Sequence, residues 1–339
     1  MRPQLKLTVD DLVVSFIGDP HLGKNFPHIP LHRKGEREAQ QYQTFKEQLE
    51  SPSDAVVMVG DLFDTYIVSN EVLINTYNCI REAAEKYKSK HFYMMNGNHD
   101  VSRNSTVPST FSVLEIMCSG LPNVWFISNQ IRNFNLVNHT VNKQVQFLLC
   151  PYLMFEQADE AVKPFLNDEY DIVVGHWDTE AIAGLHNLLP YQSFIGKTKH
   201  VVTGHVHTGL SVEMHGYEFH RTGSMLPYAH SEDPDGELYV TKTVEQVERE
   251  LLIDPNCYKN KCLRIILTES DVVPEGFEAL QVTYKKLDVA VIDEEELEVT
   301  MQPFNFKNIF DECFKENEVP DDVRDKYYEI YRENETHDN

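Results

Sequence analysis

"YMMNGNHDVS", residues 93–102, starts apolar and then turns abruptly into Asn96, Gly97, Asn98, His99 and Asp100. A short β-favouring run bounded by a turn signal reads as a buried strand. Polar groups set where such a strand leaves the core either close it as a turn or begin a site. Four other stretches pose the same question. "GDPH" (18–21), "GDLFD" (60–64), "GHWD" (175–178) and "GHVH" (204–207) each place Gly directly before Asp or His. A single Gly-Asp or Gly-His at a strand end is explained as an ordinary turn. Five in series, each supplying a group able to bind a metal, are not.

Working outward, the segments before these motifs share one grammar. "LVVSFIG" (12–18), "AVVMVGD" (55–61), "HFYMMNG" (91–97), residues 145–150, "DIVVGHWD" (171–178) and "HVVTGHVH" (200–207) read as strands. Between the first strands, apolar residues at Ala39, Tyr42, Phe45 and Leu49 recur at helical spacing, and a second helix is expected over residues 72–87. The alternation predicts an α/β fold whose strands are covered on both faces, with functional groups at strand carboxyl ends.

The candidate ligands are Asp19, His21, Asp61, Asn98, His176, His205 and His207. Seven oxygen and nitrogen donors without a thiolate suit Mn²⁺, Fe²⁺, Mg²⁺ or Zn²⁺. They are too many for one ion and about right for two sharing a carboxylate. In "GDPH" and "GHVH" the donors are two apart and project to one side of an extended segment. Gly before each leaves space for a close-packed cluster.

The bulk properties bound the rest. A chain of 339 residues is long for one domain, so a main domain with small appendages is expected. The net charge of −24 argues against a self-sufficient nucleic-acid binder. Residues 293–339 hold 16 acidic and 5 basic residues, −11 of that total, beginning with "DEEELE". Six scattered cysteines without a CxxC read as reduced thiols of a cytoplasmic protein. No apolar run reaches membrane-spanning length, and the first residues do not read as a signal peptide. In the tail, Phe306, Ile309, Phe310 and Cys313, then Val323, Tyr327, Ile330 and Tyr331, predict a helical hairpin with an aromatic stripe.

The ordered series of motifs resembles the calcineurin-like metallophosphoesterase superfamily, and within it the SbcD-type nuclease subunits of bacteria and bacteriophages. "GDLFD", "GNHD" and "HRTGSMLPYAHSEDPDGELYV" (220–240) carry that narrower resemblance, which covers roughly residues 12–253. It implies a four-layer α-β-β-α sandwich over residues 1–253, a small capping and DNA-steering region over 254–292, and a linker with helical hairpin over 293–339. It implies that Asp19, His21 and His207 hold one metal ion, Asn98, His176 and His205 a second, most fittingly Mn²⁺, with Asp61 bridging. His99 would be the acid that protonates the leaving 3′ oxygen, oriented by Asp64, with Asp100 a structural neighbour. The hairpin would grip the coiled coil of an SbcC-type ABC ATPase, and the chain would dimerise and act on double-stranded DNA ends in repair and recombination. The competing expectations are a small-molecule phosphodiesterase or nucleotide phosphatase with the same site, and a silent scaffold. In the family the first motif-bearing strand begins near the start of the chain; here about ten residues precede it.

Overall fold

The computed structural model describes residues 3–104, 106–138, 143–154, 156–179, 187–214 and 216–286. The acidic linker and the helical hairpin expected over residues 293–339 lie outside the described residues. Residues 1–287 form one compact unit.

The first sheet has the order β1-β2-β3-β4-β5, from Lys6–Val9, Leu12–Ile17, Ala55–Val59, His91–Met95 and Val124–Ile127. The residues ahead of the first motif-bearing strand form β1, an antiparallel edge strand on β2. Asp10 and Asp11, both at positive φ, make the tight turn that joins them. β2 to β5 are parallel, linked by α1 (Glu36–Glu50), α2 (Asn70–Lys86) and α3 (Thr110–Cys118). The second sheet runs β10-β11-β9-β8-β7-β6. Its members are β6 (Arg132–Asn138), β7 (Lys143–Cys150), β8 (Tyr170–Gly175), β9 (Thr198–Thr203), β10 (Leu210–Met214) and β11 (Tyr217–Arg221).

The period-2 alternation of each strand builds three apolar layers. Ala55, Val57 and Val59 of β3 meet Val145, Phe147, Ile172, Val174 and Val202 in the core between the sheets. Val56 and Met58, pointing the other way, pack on Phe45 and Leu49 of α1, Ile80 and Ala83 of α2 and Phe111 of α3. The outer face of the second sheet packs against α4 (Ala158–Val162), the loop residues Trp177 and Leu189, and Phe194 of a short 3-10 turn. This is the expected α-β-β-α sandwich. Strands with both faces covered are apolar throughout, which is why β3 is AVVMV without a polar residue.

β12 (Tyr239–Thr243), α5 (Val244–Ile253), β13 (Cys262–Leu267) and β14 (Gln281–Lys286) form a third, fully parallel sheet with its own small core. The boundary expected at residue 253 falls between α5 and β13, inside this β-α-β unit. A capping box made by Thr243 and Gln246 starts α5 directly at the end of β12, leaving no linker there. The five described cysteines are free, and no described helix is long and apolar enough to cross a membrane.

Candidate metal centre

The five motifs follow the carboxyl ends of β2, β3 and β4 in one sheet and β8 and β9 in the other, all parallel strands. Stacking the sheets brings the five exits together. Four residues there, Asp19, His21, Asp61 and His205, have positive φ. For residues with a Cβ this costs on the order of 1–3 kcal/mol, and such strain gathers at functional sites. Two glycines make the crowding possible. A Cβ on Gly60, at φ +113°, would lie 2.1 Å from His176 Nδ1, and one on Gly97 2.1 Å from Asp61 Oδ1.

The structure brings all seven candidate ligands together. Asn98 Oδ1 lies 2.9 Å from both His176 Nε2 and His205 Nδ1, which are 3.3 Å apart. His176 Nδ1 donates to the Val59 carbonyl at 2.9 Å, and His205 Nε2 donates to Asp178 at 2.8 Å. Those bonds leave the two facing nitrogens with lone pairs, aimed at an amide oxygen that also only accepts. Asp61 Oδ1 is 3.4 Å from His176 Nε2. Beside this group, His21 Nε2 stands 3.1 Å from His207 Nε2 and 3.7 Å from Asp61 Oδ2. His207 Nδ1 donates to Glu232 at 3.0 Å. Asp61 thus faces one group with each carboxylate oxygen. Asp19 is wholly buried; its Oδ1 accepts the His205 N–H, while Oδ2 has no hydrogen-bond partner. Converging lone pairs and an orphaned buried carboxylate oxygen are what divalent cations would satisfy, so the donors fit two such ions.

The electrostatics agree. Burial raises the Asp19 carboxyl, reinforced by the Asp61 charge. At Asp61 burial is outweighed by the His176, His21 and His99 rings, and its pKa falls. Burial also works against a charged His176, yet Asp61 and Asp19 lift it to about 9. His205 is held low by burial and by the His176 charge. A field that draws a proton onto a buried imidazole draws a metal cation equally well.

His99 is exposed and lies edge-on to His21, ring centres 4.9 Å apart. Its main-chain N–H donates to Asp61 at 2.9 Å. Its Nδ1 donates to the main-chain carbonyl of Asp64 at 2.6 Å. The contact expected from the Asp64 side chain is therefore made by the peptide group. The carboxylate instead pairs with Lys24 at 3.0 Å and lies 3.4 Å from His21 Nδ1. Burial pushes the Asp64 carboxyl up, but His21 and Lys24 bring it down to about 2. Asp100 accepts the N–H groups of Leu62, Phe63 and Gly97, tying the second motif to the third. Burial, then the Asp61 charge, raises it to about 7 despite those bonds.

Sequence reasoning passed over the groups that aim the ligands. Asp178 stands two residues after His176, and Glu232 lies inside the 220–240 stretch, yet neither stood out from other acids. Gln41, inside α1, donates to the carbonyls of Pro20 and His21 at 2.9 and 2.7 Å. Tyr228 donates to the Pro20 carbonyl and sets its ring against His21.

Among solved structures, the chain is similar to GAP50, the anchor in the inner membrane complex of Plasmodium, at 15% identity and TM-score 0.42, covering 66% of this chain and 73% of that one. It is similar to the phosphopantetheinyl hydrolase PptH of Mycobacterium tuberculosis at 12% identity and TM-score 0.38, covering 66% and 92%. No curated protein matches the chain. Residues 12–209, more than half of the chain, match the calcineurin-like phosphoesterase family. The chain belongs to that family.

Proposed function

We propose that this calcineurin-like phosphoesterase is a Mn²⁺-dependent DNA nuclease, the SbcD-type subunit of a repair and recombination complex. The observation that carries the reading is the pair of lone-pair clusters sharing Asp61, combined with the form of "GDLFD" and "GNHD". Asp19, His21 and His207 would hold one ion, Asn98, His176 and His205 the other, and Asp61 both. Bound there, two divalent cations supply Lewis-acid polarisation of a phosphodiester and activation of water near neutral pH.

The chain's own residues do the rest. His99, exposed at the edge of the cluster, is free at Nε2 to give a proton to the departing 3′ oxygen while the Asp64 carbonyl holds Nδ1. Lys24, paired with Asp64, adds positive charge near an incoming phosphate. Asp178, Glu232 and the Val59 carbonyl keep three imidazoles in the tautomer that presents a lone pair inward. The partner would be an SbcC-type ATPase gripped by the hairpin expected over residues 293–339, in a dimeric complex whose basic DNA surface would come largely from that partner.

End-labelled linear duplex DNA incubated with Mn²⁺, Mg²⁺ or EDTA tests the reading, with Asp61→Ala alongside. Shortening that needs Mn²⁺ and vanishes in the variant is expected. Turnover of cyclic or mononucleotides with DNA left intact would instead identify a small-molecule phosphodiesterase.

A further inference from the structure

A third convergence of ligand side chains lies apart from the metal centre, on β9 and β11. His200 pairs with Glu218 across these strands, and His220 follows Glu218 by two residues, so all three stand on one face of the sheet. On β10, Ser211 lies opposite His220, with its Oγ 2.9 Å from His220 Nδ1. Val201 and Phe219, of opposite parity, belong to the apolar layer on the other face.

Glu218 Oε2 is 3.5 Å from His200 Nδ1 and 3.6 Å from His220 Nε2. Those distances are too long for good hydrogen bonds. Both nitrogens are buried and have no hydrogen-bond partner. Donor atoms around a tetrahedral zinc ion with bonds of about 2.0–2.2 Å stand roughly 3.3–3.6 Å apart, matching this spacing. The His220 side chain is only 7% exposed, so bulk water does not reach its Nε2, whereas the Glu218 side chain at 58% leaves an approach from solvent. Burial holds both imidazoles below their ordinary pKa, which keeps their lone pairs available at neutral pH. Lys199, whose charge acts on His200, is tied to Asp171 at 2.7 Å.

We propose that His200, Glu218 and His220 bind one divalent ion of the zinc class at a site separate from the Asp61 centre. Two imidazole nitrogens and one carboxylate oxygen suit Zn²⁺, Co²⁺ or Ni²⁺ better than Mg²⁺ or Ca²⁺. His220 binds through Nε2, and its Nδ1–H donates to Ser211, which fixes the ring. The ion crosslinks β9 to β11. β9 ends directly before Gly204, His205 and His207, so occupancy stiffens the strand that delivers two ligands of the main centre.

The intact chain is dialysed against Zn²⁺ and its bound metal counted, beside Glu218→Gln and His200→Gln. Glu218 and His200 are not in the main centre, and the exposed Glu218 can change without a folding cost. Each variant should bind one equivalent of zinc fewer than the parent, while Mn²⁺-dependent cleavage of bis(p-nitrophenyl) phosphate stays within about twofold. The difference of one holds whatever number of ions the Asp61 centre takes. Equal zinc content in the parent and a folded Glu218→Gln chain, checked by circular dichroism, overturns the proposal.

Discussion

The two halves of the main centre share Asp61 but are held in different ways. Around Asn98, both imidazoles are tied from behind by hydrogen bonds, His176 to a strand carbonyl and His205 to Asp178. Around His21, only His207 has such a tie, to Glu232. The His21 ring is kept in place by edge contacts with Tyr228, His99 and His207 and by the Asp64 carboxylate 3.4 Å from its Nδ1, which makes no aligned hydrogen bond. One half is oriented by directional bonds and the other largely by packing. Each half takes ligands from both sheets, so neither exists until the sandwich closes.

The most severe way to break the comparison is to remove what the halves share. Asp61→Ala should lose both ions in a metal count and drop phosphodiester hydrolysis on the order of 10³-fold or more. Retention of one full equivalent would mean that one half stands without the shared carboxylate. His99→Ala should keep both ions and lose about 10²- to 10⁴-fold in hydrolysis, the range for a positioned acid. Metal loss matching that of Asp61→Ala would make His99 a ligand alongside its neighbours His21 and Asp61.

Two milder substitutions separate the halves. Asp178→Asn should weaken the Asn98-side ion and Glu232→Gln the His21-side ion, each by about 10- to 100-fold. Manganese titrations of the two variants would show one weakened step apiece; identical curves would deny that the halves are distinct. The most gradual effect concerns protons. His176 is lifted to about 9, so below that pH an entering cation must displace its proton. Affinity on that side should therefore fall as pH falls, by about tenfold per unit between 8 and 6 for one proton displaced. His205, held below its ordinary value by burial and the His176 charge, adds less to that slope than His176 does. A pH-independent titration would place the displaced proton elsewhere.

Much of this arrangement could be read from particular residues. A strand such as AVVMV has to be buried on both faces, and the helical spacing of Tyr42, Phe45 and Leu49 has to cover one of them. Gly before a polar donor at five strand exits marked where the donors gather. Other features carried no local signal. That the Asp64 carbonyl, rather than its carboxylate, meets His99 depends on loop geometry, because every residue carries the same carbonyl. The start of the third sheet at β12 was hidden because α5 follows β12 without a linker and no composition change sets the pair apart from the main domain. Asp178 and Glu232 looked like ordinary acids among 54. His200 and His220 looked like two more histidines among 15 until strand register set them beside Glu218.

The sequence by itself determined the inventory: which strands are buried, where they end, and which donor stands at each end. It could do so because hydrophobic period and turn chemistry are local properties of the chain. Only the tertiary structure decided which nitrogen of each histidine faces inward, which acid or carbonyl lies behind it, and how Asp61 divides its oxygens. Those are matters of direction between groups up to 186 residues apart, and packing two sheets face to face is what sets them.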